Sequence, residues 1–159
     1  MTPRPPLGFF HPATLVATGC GVGLARRGPG TIASAVALVP GVALHWWLGP
    51  LWLAVAALLV LTLGAIATDR LLARGAPHDP PYVVVDEIGG QWLALVPAVP
   101  DPISVILAFA LFRLFDIAKP GPIGWIDRNL AGGIGAMLDD ALAGLVAAVT
   151  LGLVLWWLP

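Results

Sequence analysis

The sequence predicts an all-α membrane protein, a polytopic helical bundle with about five helices in or through the bilayer. Of its 159 residues, 58% are hydrophobic and 11% are charged, about half of the roughly 25% charged residues in an average soluble domain. The charged residues also fall in short segments between long uncharged stretches. This length indicates a single membrane-embedded domain, residues 1–159.

The first two apolar segments, residues 32–48 and 51–67, predict a pair of antiparallel transmembrane helices. Each has about 17 residues, the lower end of the length that spans a hydrocarbon core of roughly 30 Å. Between them, the Gly49-Pro50 pair is typical of a tight turn.

A third apolar stretch, residues 88–115, is interrupted by the sequence PAVPDP. Because its prolines break a continuous helix, it predicts two helices, 82–99 and 103–115. Both are short, so this pair either crosses the membrane or forms a re-entrant hairpin. The last segment, 141–158, has 18 uncharged residues and predicts the final transmembrane helix.

The basic residues predict the orientation of this bundle. With the N-terminus in the cytoplasm, all eight Lys and Arg residues lie on the cytoplasmic side, as the positive-inside rule requires. The same arrangement places five tryptophans at the opposite interface, where indoles are enriched. These tryptophans are Trp46, Trp47, Trp52, Trp156 and Trp157. The N-terminal residues lack the pattern of a cleaved signal, and one cysteine cannot form an internal disulfide, so we expect neither.

Six acidic residues are predicted near the cytoplasmic ends of the helices. They are Asp86 and Glu87 at the start of the third helix, Asp116 and Asp127, and Asp139 and Asp140 just before the last helix. Carboxylates beside an apolar phase are costly unless they are paired or bind a cation, which makes them candidates for function. The alternative is ion pairing with Arg113, Lys119 and Arg128, but the acids outnumber these partners. Asp127 and Asp79 are interpreted as solvated loop acids, or as partners of Arg128 and the nearby helix ends.

Adjacent helical residues point about 100° apart, so Asp139 and Asp140 cannot both face one spot. We expect one member of each adjacent pair to be a ligand and the other to support it. Carboxylates without a cysteine or histidine nearby in sequence favour a hard cation bound by oxygen, magnesium before manganese or calcium. Basic residues in the same layer indicate an anionic partner, and the combination indicates phosphoryl chemistry. These basic residues are Arg26, Arg27, Arg113 and Lys119.

The glycine-rich segment GPGT, residues 28–31, allows two interpretations. With Thr31 as the N-cap of a helix, free backbone N–H groups near Gly30 could bind phosphate oxygens. The alternative is a tight entry into a transmembrane helix. Gly132, Gly133 and Gly135 likewise either line a site or permit close packing.

Cys20 and Arg26 have the C-x5-R spacing of a cysteine-dependent phosphatase. Such an enzyme uses a cysteine thiolate and no metal, so the acidic clusters would then have no role. A single cysteine near paired arginines matches this pattern easily. We therefore expect Cys20 to be a small buried residue.

Four ordered motifs resemble the phosphatidylglycerophosphatase A family of bacterial membrane enzymes. They are GVGLARRGPGT, DEIGGQW, FRLFDIAKPGPI and DRNLAGGIGAMLDDALAG, and the resemblance runs from about Phe10 to the last helix. It implies removal of the terminal phosphate of phosphatidylglycerophosphate, magnesium dependence, and an inner-membrane location with the active site facing the cytoplasm. Soluble relatives imply an all-helical fold with one helix surrounded by others. We expect the lipid and the bilayer as partners, and no nucleic acid.

The resemblance assigns metal ligands and catalytic residues to positions of this chain. The acidic residues, assigned as metal ligands and catalytic residues, are Asp86, Glu87, Asp116, Asp139 and Asp140. The positively charged catalytic residues are Arg113 and Lys119. Arg26, Gly30, Thr31 and Arg128 are expected to bind the substrate phosphate. One or two magnesium ions would polarise the phosphate and activate water, or a carboxylate would act as the nucleophile. The alternative functions are a phosphatase of another lipid phosphate, a cysteine phosphatase, a small transporter and a membrane scaffold.

Overall fold

The computed structural model describes residues 4–78 and 80–157, and this part of the chain contains seven α-helices and no β-strand. The helices are α1 (Pro12–Ala17), α2 (Pro29–Leu48), α3 (Pro50–Leu72), α4 (Val85–Leu95), α5 (Pro102–Ala118), α6 (Pro122–Asn129) and α7 (Gly132–Trp157). A short 3₁₀ helix, Val22–Leu24, precedes α2. The predicted all-α class is confirmed.

Three of these helices, α2, α3 and α7, are long and apolar enough to cross a membrane. They have 20, 23 and 26 residues. The other two predicted membrane helices are shorter, since α5 has 17 residues and α4 has 11. At 1.5 Å per residue α4 is about 16 Å long and cannot cross a bilayer by itself.

The helix boundaries differ from the predicted ones at the polar ends. Helix α2 starts at Pro29, with Gly28 as its N-cap at φ 55°, so the prediction that Thr31 is the N-cap is wrong. Proline is favoured in the first helical turn because its missing N–H is not needed there. Helix α7 starts at Gly132, which places Asp139 and Asp140 inside it rather than before it. A hydropathy pattern misses the first nine residues of α7 because both acids, although charged, face protein rather than lipid.

Helix α4 lies at the centre of the bundle. It packs against α2, α3, α5 and α7, and eight of its eleven residues are buried. The Trp92 indole N–H donates to the Ala37 carbonyl of α2 at 2.8 Å. This arrangement agrees with the expectation of one helix surrounded by others.

Glycines allow α4 and α7 to approach closely. A Cβ added at Gly144 would overlap the Gly90 carbonyl, and one at Gly90 would overlap the Asp140 carbonyl and the Phe112 ring. Gly133, at the start of α7, lies in the same way against the Ala65 carbonyl of α3. Here the packing interpretation of the glycine-rich motif is supported.

The bundle has two chemically different ends. The α2–α3 turn at Gly49 lies near the α4–α5 loop, because His45 Nε2 is 2.9 Å from the Ala98 carbonyl. The five tryptophans are exposed at the ends of α2 and α7 and the start of α3. At the opposite end, Asp69 Oδ1 accepts from the Gly133 N–H at 2.6 Å and joins the end of α3 to the start of α7. The acidic motifs lie at that second end.

Candidate active site

A polar pocket of about 410 Å³ opens at the acidic end of the bundle. Four helices contribute to it: the first turn of α4, the end of α5, α6, and the first part of α7. All six predicted acids line it, together with Lys119. The structure therefore brings together side chains that are up to 54 positions apart in the sequence, from residue 86 to residue 140.

Three of the acids, Asp86, Glu87 and Asp140, form a compact cluster. Each offers one carboxylate oxygen, and these oxygens lie within 4.8 Å of one another. Asp140 is only 4% exposed, and none of the three forms an ion pair with a residue in the described part of the chain. Both members of the Asp86–Glu87 pair thus face the cluster, whereas the sequence predicts one ligand per pair.

The electrostatics of this cluster favour a bound cation. Desolvation raises the pKa of Asp86 well above its ordinary value, and the neighbouring Glu87 and Asp140 raise it further. Desolvation also raises the pKa of Glu87. Glu87 Oε2 is buried and has no hydrogen-bond partner among the described residues. An oxygen-rich set with a free buried oxygen fits a hard divalent ion such as magnesium.

The other three acids are paired with basic residues. Asp116 forms an ion pair with Arg113 one turn earlier on α5. Lys119 Nζ lies 2.7 Å from Asp139 Oδ2 and 2.5 Å from Asp127 Oδ1. Three of the six acids therefore form ion pairs and three do not, and Asp127 pairs with Lys119 rather than Arg128.

Lys119 is held by the end of α5. It is the C-cap of that helix, with φ 43° in the left-handed region. Partial burial disfavours its charged form, but its hydrogen bonds to Asp127 and Asp139 raise its pKa above the ordinary value. Lys119 is therefore a positive charge fixed at the edge of an acidic pocket.

Arg113 lies behind the pocket rather than in its lining. Its Nη1 is 3.4 Å from the Ser34 hydroxyl of α2, which in turn donates to the Gly30 carbonyl at 2.9 Å. These contacts connect the start of α2 to the end of α5, next to the acids.

The residues predicted to bind phosphate take different positions. Gly30 is buried against the cluster, and a Cβ at this position would overlap Glu87 Oε1. Thr31 and Arg128 are exposed and do not line the pocket. Arg26 is exposed and lines a separate cavity. Of the glycines in the second motif, Gly132 and Gly135 line the pocket, whereas Gly133 serves packing.

Cys20 is exposed, so the expectation that it is buried is wrong. It lies in a turn in which Gly19, Cys20 and Gly21 all have positive φ. The turn is closed by the Gly21 N–H, which donates to the Thr18 hydroxyl at 3.0 Å. Cys20 therefore lies on an exposed turn and does not line the acidic pocket.

Several polar residues near the pocket were not singled out in the sequence. His78 lines the pocket, eight positions before Asp86. Its neighbour Asp79, which the sequence did single out as a loop acid, lies outside the described residues. Gln91, four residues after Glu87 on α4, is fully buried with no hydrogen-bond partner for either amide atom within the described chain. The motif DEIGGQW contains Gln91, and its spacing from Glu87 puts both on one helix face.

Comparisons with known proteins agree on one family. A family model described as phosphatidylglycerophosphatase A matches residues 15–155. A protein of Haemophilus influenzae named phosphatidylglycerophosphatase A is 35% identical over 159 residues, covering 98% of this chain and 96% of that protein. The Escherichia coli protein of the same name is 36% identical over 144 residues, covering 89% and 83%.

A third relative carries a different name. It is a Bacteroides thetaiotaomicron protein whose name proposes phosphatidylinositol-3-phosphatase activity, and it is 38% identical over 149 residues, covering 89% of this chain and 92% of its own. No solved structure matches the chain significantly. The family model covers nearly the whole described bundle, including every acid of the pocket. The chain belongs to the phosphatidylglycerophosphatase A family of phosphatases.

Proposed function

We propose that this protein hydrolyses phosphatidylglycerophosphate to phosphatidylglycerol and phosphate in a magnesium-dependent reaction. The observation that carries the proposal is the cluster of three unpaired carboxylates beside Lys119, in a polar pocket at one end of an apolar helical bundle. The names of two relatives with 35–36% identity support the substrate.

Asp86, Glu87 and Asp140 would hold the magnesium, and the buried Glu87 Oε2 is an oxygen that lacks any other partner in the described residues. When bound, magnesium polarises a phosphate ester and activates a nucleophile. Gly30, at the start of α2, packs directly against the Glu87 carboxylate, which fixes this carboxylate in the cluster. Gly30 thus helps to position Glu87, in addition to any backbone N–H group at the start of α2 that donates to the phosphate.

Lys119 would donate to the non-bridging oxygens of the phosphate and stabilise the charge that develops on them. Asp139 and Asp127 hold its ammonium group in position. Arg113, fixed by Asp116 and Ser34, adds positive charge behind the pocket. The nucleophile is water or a carboxylate. In either case an oxygen of the nucleophile bonds to phosphorus, the bond between phosphorus and the glycerol oxygen breaks, and the glycerol oxygen takes a proton that originates from water. If the nucleophile is a carboxylate, a water molecule then hydrolyses the acyl phosphate and releases phosphate.

The position of the pocket suits a lipid substrate. The acyl chains can remain beside α2, α3 and α7 while the terminal phosphate enters the pocket from the headgroup layer. We place this end of the bundle at the cytoplasmic face of the bacterial inner membrane, on the basis of the positive-inside rule. The product can then return to the bilayer without passing through water.

A second candidate substrate is a phosphoinositide with a phosphate on the 3-position of its inositol ring. It is favoured by the name of the 38% identical relative. The same cluster would serve, because both substrates are phosphate monoesters on a lipid headgroup. The two differ only in the group that carries the phosphate.

The test is phosphate release by the purified full chain in detergent, with each lipid, in magnesium and in excess EDTA. We expect release from phosphatidylglycerophosphate that requires magnesium and is unchanged in Cys20→Ser. Asp140→Asn should reduce turnover by at least about 100-fold, since it removes a ligand of the activating cation. Release that persists in EDTA and disappears in Cys20→Ser would overturn the mechanism, and preference for the phosphoinositide would overturn the substrate.

Thermal unfolding gives a second readout for the magnesium site. In EDTA, Asp140→Asn should unfold at the same or a higher temperature than the wild type, because it removes one of three crowded charges. Added magnesium should raise the unfolding temperature of the wild type and not of the variant. Equal magnesium-induced shifts in both proteins would show that the cluster does not bind the ion.

A further inference from the structure

A second cavity, of about 500 Å³, lies at the same end of the bundle as the acidic pocket. We refer to it as the arginine groove. Its walls are mostly apolar and include Phe9, Leu24 and Pro29, and two arginines, Arg4 and Arg26, also line it. Neither arginine forms an ion pair with any residue between 4 and 78 or between 80 and 157. An apolar cleft with two available guanidinium groups is complementary to an anionic amphiphile.

Tyr82 supplies a second, independent feature of the groove. It lines the cavity, is only 2% exposed, and its hydroxyl is buried with no hydrogen-bond partner in the described chain. Buried tyrosine hydroxyls ordinarily have a partner, because an unsatisfied one costs free energy. A polar group of a bound ligand would provide that partner.

The arginine groove and the acidic pocket share a wall. The segment 80–83 separates them, since Pro80 and Val83 line the pocket, Tyr82 lines the groove and Pro81 lines both. The start of α2 also lies next to both cavities. Pro29 lines the groove, and the next residue, Gly30, contacts Glu87 of the carboxylate cluster. Pro81 is exposed and lines both cavities, so a ligand that lies over this residue can contact both.

We propose that the arginine groove binds the phosphodiester and the adjoining glycerol of the lipid whose terminal phosphate occupies the acidic pocket. This inference rests on the proposed function for the identity of the lipid. In phosphatidylglycerophosphate one glycerol unit separates the diester from the terminal monoester, so the two anionic groups can lie on the two sides of Pro81. Arg26 and Arg4 pair with the diester, Tyr82 donates to one of its oxygens, and Phe9 and Leu24 contact the first carbons of the chains.

This arrangement gives Arg26 a role different from that of the pocket residues. It recognises the part of the lipid that does not react, so it governs which phosphate monoesters are selected. Phosphatidic acid has a phosphate monoester and no phosphodiester, so it has no second anionic group to pair with Arg4 and Arg26 in the groove. The groove is thus a determinant of specificity for substrates that carry two phosphates.

The test measures binding of phosphatidylglycerol, which keeps the diester but lacks the terminal phosphate. Native mass spectrometry of the full chain in detergent and EDTA gives the fraction bound to short-chain phosphatidylglycerol in competition with phosphatidylcholine of the same chain length. We expect Arg26→Gln and Tyr82→Phe each to weaken phosphatidylglycerol binding roughly three- to tenfold. Arg26→Lys, which keeps the charge, should lose less than Arg26→Gln.

The matched control is Arg74→Gln, which removes an exposed arginine that lines neither cavity and should bind like the wild type. Equal binding by the wild type, Arg26→Gln and Tyr82→Phe would overturn the proposal, as would equal weakening in Arg74→Gln. Because no turnover is measured, this result is independent of whether the protein hydrolyses phosphatidylglycerophosphate. Failure of the groove and failure of the proposed activity are therefore distinguishable.

Discussion

At the scale of single residues, the acids of the pocket differ in what neutralises them. Asp116 and Asp139 form ion pairs with basic residues, whereas Asp86, Glu87 and Asp140 form none within the described part of the chain. Like charges at this separation repel strongly in a partly desolvated site. The unpaired cluster is therefore suited to binding a cation, whereas Asp139 and Asp127 hold Lys119 near an anion.

Removal of the Lys119 charge should destabilise the fold through Asp139. In Lys119→Gln, the buried Asp139 carboxylate loses its partner, and we expect the free energy of unfolding to fall by about 1–2 kcal/mol. The matched control is Asp127→Asn, because Asp127 is the exposed partner of the same lysine and its loss should cost less than about 0.5 kcal/mol. Chemical denaturation in detergent measures both. The double variant Lys119→Gln/Asp139→Asn should recover most of the loss, and no recovery would contradict the pairing.

At the scale of secondary-structure elements, the site depends on how closely α4 and α7 approach. Asp86 and Glu87 on α4 and Asp140 on α7 meet because Gly90 and Gly144 bring the two backbones into contact. Small residues at membrane helix interfaces allow such approaches, where packing rather than the hydrophobic effect drives association. The spacing of the carboxylates is thus a consequence of glycines outside the pocket.

Gly144→Ala tests this contact. A Cβ at residue 144 would overlap the Gly90 carbonyl, so the helices must separate, and we expect a loss of about 1–3 kcal/mol in unfolding free energy together with reduced turnover. Gly152→Ala on the same helix is the control, since the nearest atom to its Cβ would be 3.9 Å away. Alanine there should be neutral or stabilising by up to about 1 kcal/mol. Similar stability of the two variants in thermal unfolding would show that the α4–α7 contact is not tight.

Hydropathy in the sequence predicted the helical bundle and the polar end, because lipid-facing residues dominate these segments. It placed the start of the last helix nine residues late, since Asp139 and Asp140 break the apolar pattern although they lie inside α7. The convergence of the acids was predicted from topology alone. Which acids pair with Arg113 and Lys119 could not be predicted, because it depends on helix rotation and close packing. For the same reason the sequence did not show that Arg26 lines the arginine groove rather than the acidic pocket.

At the scale of the whole molecule, the two ends of the bundle have different chemistry. One end carries the acidic pocket and the arginine groove, and the other carries exposed tryptophans such as Trp47, which is 85% exposed. Amphipathic indoles favour a membrane interface. Basic residues collect at the first end, so this polarity predicts that the pocket faces the cytoplasm.

Cys20 provides a direct test of this orientation, because it is the chain's single cysteine and is exposed. Expressed in a bacterium, the protein should react with a membrane-impermeant maleimide in inverted membrane vesicles and not in intact spheroplasts. In a Cys20→Ser background, Trp47→Cys at the opposite end of α2 should show the reverse pattern. Gel mobility after labelling measures both, and a detergent-solubilised sample controls for reactivity. Labelling of both cysteines from one side would contradict a bundle that spans the membrane, whereas an exchange of the two patterns would place the active site outside the cytoplasm.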